Sequence, residues 1–239
     1  MEAAFRSDKG RIRANNEDAV IIDAPAGIFL LADGMGGHRG GEVASDIAVR
    51  KSFTSLKAKL SQPDNHSDYR KYLLEAFMEA HRAVKDAARE NRSLAGMGTT
   101  LLVMVVANGL VHIGNVGDSR AYLMRDSLRQ LTKDQTVGAF LIEHKLMDYD
   151  EIDPGHWHVL TQAVGTAEDL APEFFEAGLL KGDILILCSD GLTDMLSDSA
   201  IAAICAQCPE DVELLAESLL SAANDNGGHD NISLVIVKI

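Results

Sequence analysis

Short apolar runs that end at Gly, Asn or Asp recur along the chain, and this pattern is typical of buried β-strands. The runs predict seven strands, at 19–23, 28–32, 100–107, 110–116, 120–124, 184–188 and 232–237. The three runs between 100 and 124 are separated by Asn-Gly and Gly-Asp pairs, which favour tight turns. We therefore expect hairpins in that region and a largely antiparallel sheet.

Helical spacing of apolar residues appears in two blocks. The first block holds two helices between the second and third predicted strands, at 42–60 and 67–91, and the latter carries an apolar residue every three or four positions. The second block precedes the last strand, with helices at 197–208 and 209–223. There Ser197 suits an N-cap and Pro209 a first turn. Helices grouped around antiparallel strands favour a layered α+β fold over a doubly wound one.

The segment 132–165 does not fit these layers. It predicts short helices with a Pro-Gly break at 154–155, and it carries three histidines, His144, His156 and His158. Two interpretations stay open: a mobile insert beside a functional site, and a surface helix-loop-helix without a chemical role. The i, i+2 spacing of His156 and His158 suits either a metal site in an extended segment or a solvated loop.

The composition limits the class of protein. With 239 residues, 46% of them apolar, and no repeat or linker, the chain suits one domain over residues 1–239. A net charge of −14 disfavours binding to nucleic acids or to anionic membranes. No apolar run approaches the roughly 20 residues of a membrane-spanning helix, and no secretory signal is evident. Three cysteines cannot form a disulfide framework, so we expect a cytoplasmic protein with Cys205 and Cys208 in its core.

Acidic residues recur at the ends of the predicted strands. Three follow a strand beside a glycine and three stand just before one: Asp33, Asp118 and Asp190, then Glu17, Asp18 and Asp230. An Asp-Gly pair alone is a common turn, but neighbouring strands end on a common rim, so the recurrence predicts that these side chains converge. Convergent carboxylates ionise together only around cations, and all-oxygen ligation points to Mg²⁺ or Mn²⁺.

Other chemistries fit the sequence less well. The glycine-rich loop 34–41 is not a nucleotide site, because Arg39 replaces the third glycine of G-x-G-x-x-G and no Gly-Lys-Ser/Thr follows. Ser189 lacks the G-x-S-x-G context of a serine hydrolase, and packing explains it better. Arg11 and Arg13 precede Glu17 and Asp18. A guanidinium there suits a phosphate clamp, because it binds two oxygens at once, although an arginine near a terminus is more often a solvated surface residue.

Six segments occur in an order that resembles one known family: RANNED (13–18), ADGMGGH (32–38), GMGTTL (96–101), NVGDSR (115–120), CSDGL (188–192) and GHDNI (228–232). Together they closely resemble the metal-dependent protein serine/threonine phosphatases of the PP2C (PPM) family, compact bacterial form, over about residues 6–237. The resemblance implies a four-layer αββα sandwich, in which helices flank two central antiparallel sheets. It also implies a helical flap at about 132–165 that governs substrate access.

The resemblance implies a centre of two metal ions, with a third described for bacterial members. Asp33 is expected to bridge the first two ions, and the Gly34 carbonyl to bind the second. Asp190 and Asp230 are expected on the first ion, and Asp118 with Asp190 on the third.

The resemblance gives other residues supporting roles. Asp18 and Glu17 are expected as outer ligands that act through water. Arg13 is expected as the phosphate clamp, and Asn231 as a residue that supports the ligands.

The implied activity is hydrolysis of phosphoserine and phosphothreonine in proteins by direct attack of a water that bridges two Mn²⁺ or Mg²⁺ ions. The implied partners are phosphoprotein substrates and a cognate Ser/Thr kinase, and a monomer is expected. One departure concerns Met35, which stands where eukaryotic-type members carry the histidine proposed as general acid. A thioether cannot donate a proton, so His38 or a metal-bound water must protonate the leaving group.

Two alternatives to this activity stay open. One is a phosphoprotein-binding module that has lost its chemistry, although every expected ligand is present. The other is a phosphatase with different partners, such as anti-sigma antagonists, because the flap carries His156-Trp157-His158 where a more basic stretch is usual in bacterial members.

Overall fold

A computed structural model describes residues 1–36, 40–61, 68–208 and 210–239 of the chain. Its strands are β1 (Glu2–Asp8), β2 (Asp18–Asp23), β3 (Ile28–Met35), β4 (Gly98–Thr99), β5 (Leu101–Ala107), β6 (Leu110–Val116), β7 (Arg120–Met124), β8 (Leu128–Gln130), β9 (Glu173–Gly178), β10 (Ile184–Cys188) and β11 (Ile232–Lys238). Its α-helices are α1 (Gly40–Leu60), α2 (Tyr69–Glu90), α3 (Val137–Glu143), α4 (Asp190–Thr193), α5 (Asp198–Gln207) and α6 (Val212–Asp225).

The strands form two antiparallel sheets. The first sheet has the order β1-β11-β10-β7-β8, and the second has the order β2-β3-β5-β6-β9 with β4 beside β3. In the second sheet Asp18 lies opposite Asp33, and in the first Cys188 lies opposite Leu234. These registers place the end of β3 beside the start of β2, and the end of β10 beside the start of β11.

Three apolar clusters separate four layers. Between the sheets, Phe29 and Leu102 of the second sheet pack with Leu187 and Val235 of the first. Alternate residues of the same strands point outward, where α1 and α2 cover the second sheet and α5 and α6 cover the first. This alternation follows from the two-residue period of a strand. The predicted αββα arrangement is therefore confirmed.

One predicted hairpin is present and another is wrong. β5 and β6 form a hairpin whose Asn108 and Gly109 have φ of 53° and 73°, as a type I′ turn requires. β6 and β7, in contrast, belong to different sheets, so the predicted Gly-Asp hairpin does not exist. Gly117, at φ 104°, carries the chain from one sheet to the other, because a residue without Cβ tolerates this backbone conformation.

The helix boundaries differ in places from those predicted. The last helix begins at Val212 rather than at 209, because Asp211 caps it by accepting hydrogen bonds from the amides of Glu213 and Leu214; Pro209 itself lies outside the described residues. Ser197 caps α5 as predicted. Cys205 is buried in that helix and Cys208 is half-buried, as expected.

Four strands were not predicted from the sequence: β1, β4, β8 and β9. β1, β8 and β9 lie at sheet edges, and Ala4 is the one buried residue of β1, so no apolar run marks it. β4 has two residues. Edge strands bury little of either face, and the pattern that identifies inner strands is therefore weak in them.

The segment 132–165, for which we keep the label flap, contains the short helices that the sequence predicts. α3 is followed by two 3₁₀ turns, Tyr149–Glu151 and Pro154–Trp157, and Asp153 caps the second turn at the Pro-Gly break. The amide of Val137 donates to the carbonyl of Val159 at 2.8 Å, which closes the segment at its base. Among all described residues, no helix combines the length and apolar character needed to cross a bilayer.

Candidate metal centre

A cavity of about 450 Å³ opens where the two sheets end together. It is lined by eight residues for which a ligand, clamp or supporting role is expected from the sequence and by six others: Arg13, Glu17, Asp33, Gly34, Asp118, Asp190, Asp230 and Asn231, then Met35, Gly36, Thr100, His158, Leu160 and Asp194. The lining comes from both sheets, from the segment between β1 and β2, and from the flap. Residues far apart in the sequence therefore meet in one volume, as predicted.

Asp33 is held by the strand beside it. Its backbone amide donates to the Thr100 hydroxyl at 2.8 Å, and that hydroxyl also shares a 2.8 Å hydrogen bond with Ser119. Ser119 follows Asp118 directly, so one hydrogen-bond chain links the backbone at Asp33 to the residue next to Asp118. Gly34 has no room for a side chain, since a Cβ would lie 2.1 Å from the Gly41 carbonyl oxygen.

Asn231 ties the segment between β1 and β2 to the site. Its side-chain oxygen accepts from the Glu17 amide at 2.8 Å. Its side-chain nitrogen donates to the carbonyls of Asn15 at 2.8 Å and Lys9 at 3.1 Å. Asn231 is buried, and its three bonds place Glu17 and Arg13 at the cavity.

Asp18 lies behind the cavity rather than on its wall. The Ser189 hydroxyl donates to Asp18 Oδ2 at 3.0 Å, which explains the buried serine next to Asp190 without any hydrolase chemistry. Asp18 faces Asp33 across the β2–β3 pair.

The carboxyl groups share a low-dielectric, crowded site. Burial raises the pKa of Asp18 to about 7, of Asp118 to about 8 and of Asp190 to about 6. Burial, with the charges of Asp18 and Asp190, also raises the pKa of Asp33 well above its usual range. Since each neighbour adds negative charge, full ionisation of these groups near neutral pH costs free energy unless a cation compensates it.

The donor set fits hard divalent cations. Within the described part of the chain no donor reaches Asp18 Oδ1 or Asp190 Oδ1, although both atoms are buried. Buried oxygens without partners are costly unless a cation binds them. Carboxylate and carbonyl oxygens are the ligands of Mg²⁺ and Mn²⁺.

Arg13 supplies positive charge at the cavity. Its guanidinium forms an ion pair with Asp230 Oδ2 at 2.6 Å, and half of its side chain is exposed. Arg11, two residues earlier, instead points toward Asp225 at 3.8 Å. Arg13 is therefore the arginine that the fold directs to the site.

Two cavity residues with metal-binding side chains, Asp194 and His158, were not among the predicted ligands, although a metal role for His158 is one of the two interpretations that the sequence leaves open. Asp194 lies four positions after Asp190, a spacing that places both on one helical face, so this signal was present in the sequence. His158 reaches the cavity from the flap, with Nδ1 3.6 Å from Asp194 Oδ2. Ligand atoms of His158, Asp190 and Asp194 lie within 4.8 Å of one another. His156 does not line the cavity, and His38 lies outside the described residues.

Comparison with known proteins decides the family. The protein phosphatase 2C family matches residues 11–225. The chain belongs to the protein phosphatase 2C family. This confirms the family predicted from the six sequence segments.

Relatives of this phosphatase 2C chain match it along its whole length. It is 34% identical over 246 residues to the serine/threonine phosphatase stp of Listeria innocua, covering 100% of the chain and 96% of that protein. The crystal structure of the Mycobacterium tuberculosis serine/threonine phosphatase PstP/Ppp superposes with a TM-score of 0.88 at 34% identity, covering 100% and 98% of the two chains. A PstP catalytic domain in complex with two manganese ions superposes with a TM-score of 0.86 at 36% identity, covering 99% and 97%.

Proposed function

We propose that this chain is a metal-dependent phosphatase that hydrolyses phosphoserine and phosphothreonine in proteins. The observation that carries the proposal is the convergence of carboxylates from both sheets on one cavity, where no donor among the described residues reaches the buried Asp190 Oδ1 and where Arg13 pairs with Asp230. Membership of the protein phosphatase 2C family supports the same activity.

The proposed metal ligands are the carboxylates of the site and one backbone carbonyl. Asp33, the Gly34 carbonyl, Asp190 and Asp230 would hold two Mn²⁺ or Mg²⁺ ions, and Asp118 with Asp190 would hold a third. When bound, such ions neutralise the carboxylates and lower the pKa of water toward neutrality, which generates a nucleophile at physiological pH.

The remaining residues bind and orient. Arg13 would bind two phosphoryl oxygens through its planar guanidinium and offset the charge that develops in the transition state. Asn231 holds Glu17 in place, and Thr100 holds Asp33. Asp18 and Glu17 would act on the ions from outside, through water. A net charge of −14 repels phosphate, so Arg13 and the cations must reverse the local potential.

Partners and location are part of the proposal. Protein phosphomonoesters arise by phosphoryl transfer, so the enzyme would oppose a Ser/Thr kinase. We infer a monomer of one domain over residues 1–239, with 132–165 as its flap. A cytoplasmic location suits such substrates and keeps buried thiols such as Cys188 reduced.

The alternative to a phosphatase is a phosphoprotein-binding module without catalysis. Phosphate release by the wild type and by Asp33→Asn distinguishes these two functions. The full chain should release phosphate from a phosphothreonine peptide only when Mn²⁺ is added. Asp33→Asn should lower kcat/KM at least about a hundredfold, because it removes the carboxylate expected to bind both ions. Each factor of ten corresponds to about 1.4 kcal/mol of transition-state stabilisation. Calorimetry should show weaker Mn²⁺ binding to the same variant.

The matched control is Asp126→Asn, an exposed aspartate in the turn after β7, at the far end of the strand from Asp118. Asp126→Asn should keep the wild-type rate and the wild-type Mn²⁺ titration. Peptide binding without phosphate release at any Mn²⁺ concentration would support the binding module instead.

A further inference from the structure

Apolar side chains are exposed on the flap. Five of the eleven large apolar side chains exposed among the described residues lie in this segment, namely Phe140, Leu146, Met147, Tyr149 and Val159. Single exposed apolar residues are ordinary, but a concentration of them in one short segment marks a surface that meets another molecule.

Part of this surface is a groove of about 540 Å³. Tyr149, Trp157, Ala139 and Ile142 supply its apolar wall. The rings of Tyr149 and Trp157 are 5.3 Å apart. Trp157 packs directly on Gly138, where a Cβ would lie 2.8 Å from the indole. The groove is therefore shaped by packing within the flap and needs no partner to form.

The groove adjoins the cavity. Trp157 lines the groove, and the next residue, His158, lines the cavity. On the other wall Asp134 forms a 2.6 Å ion pair with Arg120, two residues after Asp118. The groove and the cavity are therefore lined by neighbouring residues, and a segment whose phosphorylated residue enters the cavity lies within reach of the groove.

Four acidic residues stand within four positions of Tyr149, and we call them the acidic rim. Asp148, Asp150, Glu151 and Asp153 are all exposed, and no described lysine or arginine forms an ion pair with them. Among the described residues that line the groove, Lys133 is the one cation, and it is already paired with Glu143. Such a rim attracts Lys and Arg and repels further acidic residues.

We propose that this groove binds the part of the phosphoprotein substrate next to its phosphorylated residue. The chemistry selects a segment with one bulky apolar side chain, which enters between Tyr149 and Ile142, and with Lys or Arg facing the acidic rim. This inference rests on the proposed function, since it assigns the substrate of the same cavity.

The test compares three phosphothreonine peptides of equal length on the Mn²⁺-loaded full chain. The first carries Leu and two Lys beside the phosphothreonine, the second replaces Leu by Ser, and the third replaces both Lys by Glu. Wild-type kcat/KM should fall about fivefold for the second and for the third peptide, the size expected of partly exposed contacts. p-Nitrophenyl phosphate, which reaches only the cavity, reports the chemistry alone.

Two variants on exposed residues locate the preference. Tyr149→Ser should abolish the preference for Leu over Ser, and Asp150→Lys should abolish or reverse the preference for Lys over Glu. Leu180→Ser and Asp126→Lys are the matched controls: Leu180 is 59% exposed and Tyr149 70%. Leu180 precedes β10 and Asp126 follows β7, both at the sheet ends opposite the cavity. All four variants should hydrolyse p-nitrophenyl phosphate at the wild-type rate.

Equal rates on the three peptides with the wild type, or preferences that survive both flap variants, would overturn the inference. So would a dimer in sedimentation velocity that Tyr149→Ser dissociates, because the groove would then hold a second copy of this chain. Failure to hydrolyse even p-nitrophenyl phosphate with Mn²⁺ would instead refute the proposed function itself.

Discussion

In the candidate site Arg13 can pair either with Asp230 or with the phosphoryl oxygens of a substrate. Its guanidinium is 2.6 Å from Asp230 Oδ2, and Asp230 is expected to bind a metal ion. A carboxylate that binds a divalent cation forms a weaker ion pair with a neighbouring arginine, because the cation neutralises its charge. Metal loading should therefore release Arg13 toward the phosphoryl oxygens of a substrate, which couples the two halves of the site.

Substitution of Arg13 tests its role in phosphate binding. Arg13→Ala should raise KM for p-nitrophenyl phosphate about tenfold or more, since a charge-assisted hydrogen bond contributes about 1.5–3 kcal/mol. Arg13→Lys should lose less, because it keeps the charge without the planar fork. Arg11→Ala is the matched control and should leave KM unchanged, as Arg11 faces Asp225. An unchanged KM in Arg13→Ala would remove the phosphate-binding role.

Sequence could name most of the site at this scale, for a physical reason. Asp33, Asp118, Asp190 and Asp230 stand at strand ends, and strand ends are brought to one edge by backbone pairing. His158 has no such anchor, because the path of the flap depends on side-chain packing such as that of Trp157 on Gly138.

The loop between β6 and β7 determines where Asp118 lies. β6 belongs to the second sheet and β7 to the first, so the loop crosses between sheets at Gly117. Gly117 packs against Thr100, whose hydroxyl accepts a hydrogen bond from the Asp33 amide. From sequence the Gly-Asp pair predicts a hairpin, because a turn residue reports local backbone conformation but not which sheet receives the next strand.

Gly117→Ala should therefore damage both fold and site. At φ 104° a side chain is strained, and the new Cβ would lie 2.6 Å from Thr100 Cγ2. We expect the free energy of unfolding, measured by urea denaturation, to fall by about 2–4 kcal/mol. We also expect a lower kcat, because Asp118, the next residue, would be displaced.

Gly109→Ala provides the matched control for that prediction. Gly109 also has positive φ, 73°, but a Cβ there meets nothing within 4 Å. Its substitution should cost only about 1 kcal/mol and leave kcat unchanged. Equal losses in the two variants would show that backbone strain alone, rather than the contact with Thr100, makes Gly117 necessary.

Part of the acidic charge of the whole molecule lies in the candidate metal centre, on carboxyl groups whose pKa is raised. The pKa of Asp18 is raised to about 7, of Asp118 to about 8 and of Asp190 to about 6, each from a reference of 3.8. A carboxyl with a higher pKa in the folded state binds its proton more tightly there than in the unfolded chain. The stability from these protons is fully present below about pH 4 and is lost as pH rises through the folded pKa values, about 6 to 8.

Without divalent ions, the melting temperature should therefore fall between about pH 5 and about pH 8.5, as measured by calorimetry in a chelating buffer. Mn²⁺ should restore stability most at the upper end, because it replaces the lost protons and binds only the folded site. Asp118→Asn should melt higher than the wild type at about pH 8.5 in the chelator and show a shallower pH dependence. Asp126→Asn should follow the wild type. A wild-type melting temperature that rises across this range, or an Asp118→Asn curve parallel to it, would mean that these carboxyls do not limit the stability of the metal-free fold.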